Sequence, residues 1–570
     1  SLINANVAIK PDPRIYDDWP KVFRDGKVLD EYFDMAKAML GSNPYPRDDL
    51  HKLKAMEKVA AGLKAPDAFT RPDINVTFKD RRNQVDIFQP ACTGCGDCCT
   101  GCNYGSKNTV LMNYLPDAQA NGAEILTHAE VVAIEALPSR GKQSKGRRWK
   151  VEARNPVTHE TKVLTADHVI VAAGTLGTNE ILLNSRTRGL KLSKRLGKGF
   201  SGNGDVWAFG YNANIPTEED GARAPIYSFG AGARPVSAGD IDAGEEPYRP
   251  GPTITGAIQL SDPHNLENGL LLEEGVIPGA FAPVLGAAFP MLEVLKGDPF
   301  RFNDATVRAD DARSLSEQIA ADPMNIGATV YSGPLSRTMM YLVMSHDSSS
   351  GEMDIENGRV TVNWERGGSD PAIVKDEITI KRACDSIRAE YLANPIWMDE
   401  FGNRLLAVHP LGGCGLGEDG DTGVINADCQ VFRDKTKVHK GLYVCDGAAM
   451  PKAVGVNPHL TITALAEYAM QRLADNEGWV IDHSPANLIP DDTFDPTKLD
   501  IEAIFADALD GVRSIKKAID NQMWEMARFL LSGFWRKLTS HPLARKHHLP
   551  DLETFLAVMC SDEALAAGTG

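Results

Sequence analysis

The sequence has no apolar run long enough to cross a bilayer, and its mean hydropathy is only −0.25. A spanning helix needs about 20 consecutive, mostly apolar residues, so we expect no transmembrane segment. The chain also lacks a basic region followed by an apolar stretch at its start, which argues against a secretory signal peptide. These absences predict a soluble, cytoplasmic protein.

An excess of positive charge is absent as well. The chain carries 77 Asp and Glu residues against 60 Lys and Arg residues, a net charge of −17. Because binding to a phosphate backbone requires a concentrated basic face, we expect no nucleic acid partner. The 43% of hydrophobic residues is typical of folded proteins, and a length of 570 residues predicts two to four domains.

Cysteine is scarce overall, with ten residues, but five of them fall within eleven positions. Four have the spacing C-x2-C-x2-C-x3-C of a bacterial ferredoxin: Cys92, Cys95, Cys98 and Cys102. Asn103 stands where proline usually follows. Four thiolates at this spacing are candidate ligands of a [4Fe–4S] cluster. A zinc site and a cysteine loop without metal are the alternatives, and all three stay open.

Two apolar runs predict buried strands of a parallel sheet. Residues 165–174 are apolar on both faces and stop at Gly174 before a helical pattern, and residues 441–447 end in Asp446-Gly447. Residues 210–300 are rich in glycine, proline and acidic residues instead, which is typical of a separate, loop-rich domain. We therefore predict an α/β (α+β) protein with a doubly wound domain and an inserted, sheet-based domain.

The segment Asn457-Pro458-His459 has the pattern of a helix start. Asparagine is a good N-cap and proline favours the first helical position, so we predict a capped helix over about 460–474. Its free N–H groups and positive dipole end suit an anion or a developing negative charge. Taken alone, the pattern favours a structural helix, whereas the nearby segments 409–414 and 441–447 favour a functional site.

Six segments of the chain resemble, in the family's order, the glucose–methanol–choline (GMC) flavoprotein oxidoreductases, and most closely the cholesterol-oxidase branch. They are residues 1–4, 101–109, 172–175, 409–414, 441–447 and 455–458. One such segment alone is weak evidence, but six in the same order make chance agreement remote. The chain is therefore identified as a member of this family.

The resemblance implies FAD as the cofactor, with its adenine near the strand that contains Val131. It also implies that the turns at Gly174 and at Asp446-Gly447 approach the cofactor closely, which only small residues permit. The pyrimidine end of the flavin would lie at the helix start after Asn457, where the dipole stabilises negative charge. The implied cofactor-binding residues are Asn4, Val7, Asn103, Gly105, Val131, Gly174, Asp446, Gly447, Asn457 and Pro458.

The resemblance further implies oxidation of a CH–OH group by hydride transfer to the flavin. His409 would act as the base, because imidazole accepts a proton near neutral pH, and Asn457 would orient the substrate oxygen or the imidazole. Glu273 or Glu274 is a candidate for an acidic group in the pocket. We expect a sterol-like or other hydrophobic alcohol as substrate, and oxygen or another electron acceptor.

The resemblance also predicts the domain boundaries. An FAD-binding domain would comprise residues 1–206, including the Cys-rich loop 92–102, and would be completed by residues 401–480. A substrate-binding domain would comprise residues 207–400, and a helical C-terminal extension residues 481–570.

One part of the family pattern does not occur in the sequence. Members open with a strand, a Gly-x-Gly-x-x-Gly turn and a helix that hold the FAD pyrophosphate, and nothing of this kind precedes Ser1. The glycine-rich segments 197–204 and 412–417 do not follow a buried strand and open a helix. We therefore expect a fragment that lacks its N-terminal nucleotide-binding segment, the alternative being that a partner chain supplies this segment. Two alternative functions follow: a sugar or polyol dehydrogenase that passes electrons through an iron–sulfur cluster to an external acceptor, and a non-catalytic scaffold chain.

Overall fold

The computed structural model describes residues 6–138, 148–216, 224–230, 250–281, 333–365, 367–394 and 405–482. Asn4 and nearly all of the predicted extension 481–570 lie outside the described residues. The chain divides into two compact units: a larger unit of residues 1–76, 93–100 and 108–485, and a smaller unit of residues 77–92, 101–107 and 486–570. The domain boundaries expected from the sequence stay predictions.

Seven α-helices occur in these described ranges. They are α1 (Asp30–Leu40), α2 (His51–Gly62), α3 (Tyr114–Ala120), α4 (Gly174–Thr187), α5 (Gly333–Ser336), α6 (Pro371–Ser386) and α7 (His459–Glu477). The helix predicted over 460–474 is confirmed as α7, which ends at the left-handed Gly478. Across the part of the chain that the structure describes, no helix is both long and apolar enough to span a membrane.

The strands of the larger unit are short. They are β1 (Asn43–Pro44), β2 (Phe69–Thr70), β3 (Asp73–Ile74), β6 (Glu130–Ala136), β7 (Trp149–Arg154), β8 (Thr161–Ala166), β9 (Val169–Val171), β10 (Lys198–Ser201), β11 (Val206–Tyr211), β12 (Ala257–Leu260), β13 (Leu270–Gly275), β14 (Met339–Ser345), β15 (Gly351–Glu356), β16 (Arg359–Asn363), β17 (Glu390–Ala393), β18 (Leu411–Gly413), β19 (Gln430–Phe432) and β20 (Val438–Val444). The smaller unit contains β4 (Arg81–Arg82) and β5 (Phe88–Gln89).

The largest sheet has six antiparallel strands in the order β17-β11-β14-β13-β12-β2. One of its faces packs against α2 and α6, where Met56 and Ile380 contribute to the same buried core as Leu272 of β13. Because successive side chains of a strand point to opposite faces, the neighbours Glu273 and Glu274 of β13 lie on opposite sides of this sheet.

Glu274 lies on the side of the helices. Its Oε2 is 2.8 Å from Nζ of Lys52 on α2, and both side chains are fully buried. Its Oε1 accepts hydrogen bonds from the N–H and hydroxyl of Thr255, both at 2.6 Å, and from the N–H of Gly256 at 3.1 Å. These additional hydrogen bonds support the buried ion pair, so Glu274 joins α2 to the sheet.

The described residues of the larger unit contain four further sheets. They have the orders β16-β15-β10-β18, β19-β20-β9, β6-β7-β8 and β1-β3. β9 and β20 pair in parallel, with Val169 opposite Leu442 and Val171 opposite Val444, which confirms the two predicted strands of a parallel sheet. Ile170 of β9 is 41% exposed, so the predicted burial of this run on both faces is incomplete.

The described part of the smaller unit contains the β4–β5 hairpin. Its turn is held by Asn83, whose Oδ1 accepts hydrogen bonds from the N–H groups of Val85 at 3.1 Å and Ile87 at 3.0 Å. Gln89 donates from Nε2 to the carbonyl of Gly105 at 3.0 Å, which ties the hairpin to residues 101–107.

A buried carboxyl lies behind β14. Asp376 of α6 is fully buried and accepts a hydrogen bond from the hydroxyl of Ser345, while its Oδ1 has no partner among the described residues. Burial raises the pKa of Asp376 to about 7. The negative charges of Asp370 and Asp347 also raise it, and the Ser345 hydrogen bond and the charge of Lys375 lower it.

We expect this carboxyl to make stability depend on pH. An aspartate of the unfolded chain titrates near pH 4, so between about pH 4 and 7 the native state holds a proton that unfolding releases, and stability falls as the pH rises. Asp376→Asn removes this titration and keeps an acceptor for Ser345. Its melting temperature should therefore rise relative to the unmodified protein from pH 5 to pH 8. The exposed Asp354→Asn serves as control, and a pH-independent difference for Asp376→Asn would contradict the assignment.

Candidate active site

A tight turn between β10 and β11, residues 201–205, organises the site. Asn203 and Gly204 have φ values of +61° and +65°, and a Cβ at Gly204 would lie 2.6 Å from the backbone nitrogen of Ser345. Glycine is therefore required at position 204. We call residues 201–205 the 201–205 turn. It connects two strands rather than a strand and a helix, in agreement with the sequence-based view that this segment is not a phosphate-binding turn.

The buried Asp347 holds this turn. Its Oδ2 accepts hydrogen bonds from the hydroxyl of Ser201 at 2.9 Å and from the N–H groups of Gly202 and Gly204 at 3.0 and 2.9 Å. Its Oδ1 accepts from the N–H of Ser349 at 2.8 Å. Burial nevertheless raises the pKa of Asp347, with these hydrogen bonds acting in the opposite direction.

Asn203 links the turn to the start of α7. Its Oδ1 accepts hydrogen bonds from the N–H groups of Val454 at 2.9 Å and Gly455 at 3.1 Å, and its Nδ2 donates to the carbonyl of Val456 at 2.9 Å. The side-chain amide thus fixes the three residues that precede Asn457.

Asp205 links the same turn to His409. Its Oδ2 accepts hydrogen bonds from the backbone N–H groups of Val408 at 2.6 Å and His409 at 2.8 Å. Its Oδ1 is 2.8 Å from Nδ1 of the His409 ring. The side chain of Asp205 is fully buried and that of His409 is 15% exposed. The 201–205 turn therefore positions both residues that the sequence analysis proposed as catalytic.

Asn457 does not cap α7, so this expectation from the sequence is wrong. The helix begins at His459 with Pro458 in the N-cap position, and no side chain caps it. Instead, Nδ2 of the buried Asn457 donates to Oε2 of Glu273 at 3.2 Å. A buried carboxyl on the facing strand attracts the amide more effectively than the local backbone does.

Glu273, rather than its neighbour Glu274, is the carboxyl that contacts Asn457. It is fully buried, and its Oε1, like Oδ1 of Asn457, has no partner among the described residues. Burial raises the pKa of Glu273 well above its usual range, and the charges of Glu274 and Asp205 add to this, whereas the Asn457 hydrogen bond lowers it. The folded protein thus favours Glu273 as a neutral acid.

Asp446 and Gly447 follow β20 and pack against the start of α4. Asp446 accepts hydrogen bonds from the hydroxyl of Thr178 and from the N–H of Ala448, and burial raises its pKa to about 6. A Cβ at Gly447 would lie 2.7 Å from Oγ1 of Thr175, so the backbone here tolerates only glycine without rearrangement. Gly174 is required for its φ of +76° instead, since a Cβ there meets no atom within 4 Å.

A hollow of about 620 Å³ lies beside the start of α4. Its walls come from β6, β9, α4 and β16, and they include Val131, Ile134, Ala172, Ala173, Leu176 and Val360. Val131, expected near an adenine, therefore lies in an apolar hollow of a size suited to part of a dinucleotide.

A chain of hydrogen bonds connects buried, unpartnered polar groups to the start of α7. The buried atoms without a hydrogen-bond partner in the described ranges include both amide atoms of Asn6, Nδ2 of Asn108 and Oγ1 of Thr461. Backbone hydrogen bonds run from Asn75 to Asn6 at 2.6 Å and from Asn108 to Asn75 at 2.8 Å. Nδ2 of Asn75 is 3.3 Å from Nδ1 of His459 on α7. Because burying unsatisfied polar atoms is costly, this cluster suits a ligand rich in hydrogen-bonding atoms, and a flavin ring fits it.

The other predicted site residues are placed as follows. Val7 is 2% exposed and pairs with Ile74. Asn103 is exposed and Gly105 half-buried, both in the smaller unit. Cys98 is buried, and Cys92, Cys95 and Cys102 are half-buried. In the described ranges no group of three or more His, Cys, Asp or Glu side chains is arranged to hold a metal ion, so the cluster stays a prediction from spacing.

The sequence analysis did not identify Asp205, Asn203 and Asp347, whose hydrogen bonds connect the parts of the site. It also did not identify Asn6, Asn108 and Thr461, which carry the unpartnered polar atoms. The Gly-Asn-Gly-Asp sequence of the 201–205 turn was the available signal, since such residues favour left-handed backbone and side-chain hydrogen bonds to the backbone.

The sequence matches the family described as GMC oxidoreductase in two regions, the N-terminal part over residues 1–201 and the C-terminal part over residues 382–466. These regions together make up about half of the chain and include Gly174, the beginning of the 201–205 turn and His409. The chain belongs to the GMC oxidoreductase family, whose members are FAD-binding flavoenzymes, and the identification from sequence motifs is confirmed.

Several curated relatives are oxidases of alcohols by name. A cholesterol oxidase of Mycobacterium tuberculosis (strain ATCC 25618 / H37Rv) is 28% identical over 66% of this chain and 58% of its own length. A cholesterol oxidase of Acinetobacter baumannii is 23% identical over 82% of this chain and 79% of its own. A long-chain-alcohol oxidase of Arabidopsis thaliana is 24% identical over 67% of this chain and 46% of its own. The chain thus spans 58% of the length of the M. tuberculosis relative.

Two solved structures are similar to this one. A structure of a fungal aryl-alcohol oxidase has a TM-score of 0.49 at 15% identity and covers 83% of this chain and 85% of its own. The structure of a pyridoxine 4-oxidase from Mesorbium loti has a TM-score of 0.40 at 15% identity and covers 75% of this chain and 71% of its own.

The same substitution should change the free energy of unfolding by different amounts at the two adjacent glutamates. Glu273→Gln replaces a neutral acid by a neutral amide of the same shape, so we expect the free energy of unfolding at pH 7 to change by less than about 1 kcal/mol. Glu274→Gln leaves Lys52 buried without its counter-charge, which should cost about 3–5 kcal/mol. Urea denaturation of both variants measures this. Similar losses in both would contradict the assignment of a neutral Glu273.

Proposed function

We propose that the protein is an FAD-dependent oxidoreductase that oxidises a CH–OH group of a hydrophobic alcohol. The observation that carries this proposal is the 201–205 turn. Its Asn203 binds the backbone that precedes Asn457, and its Asp205 binds the segment that contains His409. The turn supports a common site for His409, Asn457 and Glu273, in which two buried oxygens have no partner among the described residues.

His409 is the residue that we propose to accept the hydroxyl proton. Its Nδ1 faces Asp205, so Nε2 is the ring nitrogen left for a substrate hydroxyl. When bound, FAD supplies the acceptor for the hydride that leaves the carbinol carbon. The alcohol thereby loses one proton to Nε2 and one hydride, and becomes an aldehyde or ketone.

Glu273 and Asn457 are proposed to orient the substrate oxygen. Because Asn457 donates to Oε2 of Glu273, the acid proton belongs on Oε1, the unpartnered oxygen. A neutral acid at this position donates a hydrogen bond to the substrate oxygen and stabilises the negative charge that develops as its proton leaves. Asn457 acts by fixing which oxygen of Glu273 carries the proton.

The surroundings of Glu273 favour an apolar substrate. On the same face of the sheet, Glu273 lies opposite Leu342, and Leu342 lies opposite Trp207 on the next strand. Leu271, two residues along β13, shares this face. A buried carboxyl beside these apolar side chains suits a sterol-like or other bulky hydrophobic alcohol better than a sugar, and cholesterol and long-chain alcohols in the names of relatives point the same way.

The decisive experiment is the substitution His409→Ala in the flavin-loaded protein. Losing a positioned base should slow flavin reduction by the alcohol about 10²–10⁴-fold while flavin binding stays normal. His439→Ala is the matched control, since this buried histidine bonds the carbonyl of Lys191 at 2.6 Å and should affect only stability. Anaerobic stopped-flow absorbance measures the rate. An unchanged rate in His409→Ala would refute the assignment.

Two further measurements separate the alternatives. A full-length protein that binds no flavin and oxidises no alcohol would be a scaffold chain. Oxygen consumption during turnover would identify an oxidase, whereas reduction of an artificial acceptor without oxygen consumption would identify a dehydrogenase, and bound iron and sulfide would show that the cysteine loop holds a cluster.

A further inference from the structure

We propose that Asp205 is a positioning residue for the reaction: it holds His409 in the tautomer whose Nε2 accepts the substrate proton, and it stabilises the imidazolium that results. This inference rests on the proposed role of His409 as the base. It assigns a function to a residue 204 positions away in the sequence.

The backbone hydrogen bonds of Asp205 leave one of its two oxygens for the imidazole. Oδ2 is occupied by two backbone N–H donors, from Val408 and His409, so Oδ1 is the oxygen that faces the ring. A carboxylate only accepts hydrogen bonds, and therefore Nδ1 of His409 must donate. The neutral ring then carries its lone pair on Nε2, which is the form that a base requires.

Asp205 also fixes where the ring lies. His409 belongs to a segment without regular secondary structure, residues 405–410, so its own backbone provides little rigidity. Asp205, by contrast, is placed at the start of β11 by the 201–205 turn, which Asp347 holds through three hydrogen bonds. Backbone and ring of His409 are thus both attached to one buried carboxylate.

The charges around the pair favour an imidazolium after proton transfer. Asp205 is fully buried, so its charge acts on the ring with little screening by water. Glu273, the other carboxyl of the proposed site, is favoured in its neutral form, and Glu274 is paired with Lys52. Asp205 therefore provides the counter-charge of His409.

The substitution Asp205→Asn tests the proposal. The amide oxygen can accept the two backbone N–H groups, but the amide NH₂ then faces Nδ1 and forces the proton onto Nε2, as happens when the aspartate of a serine-protease triad is changed to asparagine. We expect the rate of flavin reduction to fall about 10²–10⁴-fold, with little change in KM.

A double-mutant cycle separates positioning from a structural role. If Asp205 acts through His409, then Asp205→Asn added to His409→Ala should lower the rate no further, within about threefold. Equal losses in both backgrounds, or an unchanged rate in Asp205→Asn alone, would overturn the proposal. An unchanged rate in His409→Ala alone would instead refute the proposed function. Asp370→Asn is the matched control, because Asp370 accepts two backbone N–H groups without contacting a histidine, and its rate should be normal.

A spectroscopic measurement needs no folded Asp205 variant. In ¹⁵N-histidine-labelled, flavin-loaded protein, the His409 signals are those missing from His409→Ala. Long-range ¹H–¹⁵N correlation should show the neutral ring protonated at Nδ1. Protonation at Nε2 would overturn the proposal.

Discussion

The site depends on one buried carboxylate, Asp347, which satisfies the N–H and hydroxyl groups of the 201–205 turn. Asn203 and Gly204 both have positive φ, and this backbone conformation is strained for Asn203. We expect the turn to lose this conformation without the hydrogen bonds to Asp347. The turn in turn carries Asn203 and Asp205, and each of them binds a segment more than 200 residues further along the chain. The geometry of the candidate site is therefore built by hydrogen bonds to backbone rather than by packing of the side chains of His409 and Asn457.

Three neighbouring carboxyls acquire different states from their partners. Glu274 is compensated by Lys52, Asp205 faces His409, and Glu273 has only an amide and is therefore favoured as a neutral acid. If all three were charged, their mutual repulsion in a buried site would be severe. In the proposed mechanism, this separation into an ion pair, a neutral acid and the counter-ion of a base lets one site hold both a proton donor and a proton acceptor.

The elements with strong local patterns could be predicted from the sequence. The parallel pair β9–β20 and the helix α7 follow from apolar runs and a proline-marked start, and the proposed roles of His409 and Asn457 come from family motifs. Long-range choices could not be predicted. Strand register determines which of Glu273 and Glu274 faces the site. The partner of His409 is placed by the 201–205 turn, whose glycines do not have the context of a phosphate-binding turn. The predicted capping of α7 by Asn457 is wrong because the distant carboxyl of Glu273 accepts the hydrogen bond of the Asn457 amide.

The absence of a side-chain cap on α7 has a consequence for the cofactor. A capping side chain would occupy an N–H group of the first turn, and in the described structure none does. The unpartnered amides of Asn6 and Asn108 and the hydroxyl of Thr461 lie in the same part of the fold, connected to α7 through Asn75 and His459. A helix start that is left open among unsatisfied donors is costly unless a ligand completes it. In the proposed mechanism, the hydrogen bond from Asn457 to Glu273 has two effects: it directs the acid proton towards the substrate, and it leaves the positive end of α7 available to a flavin that gains negative charge on reduction.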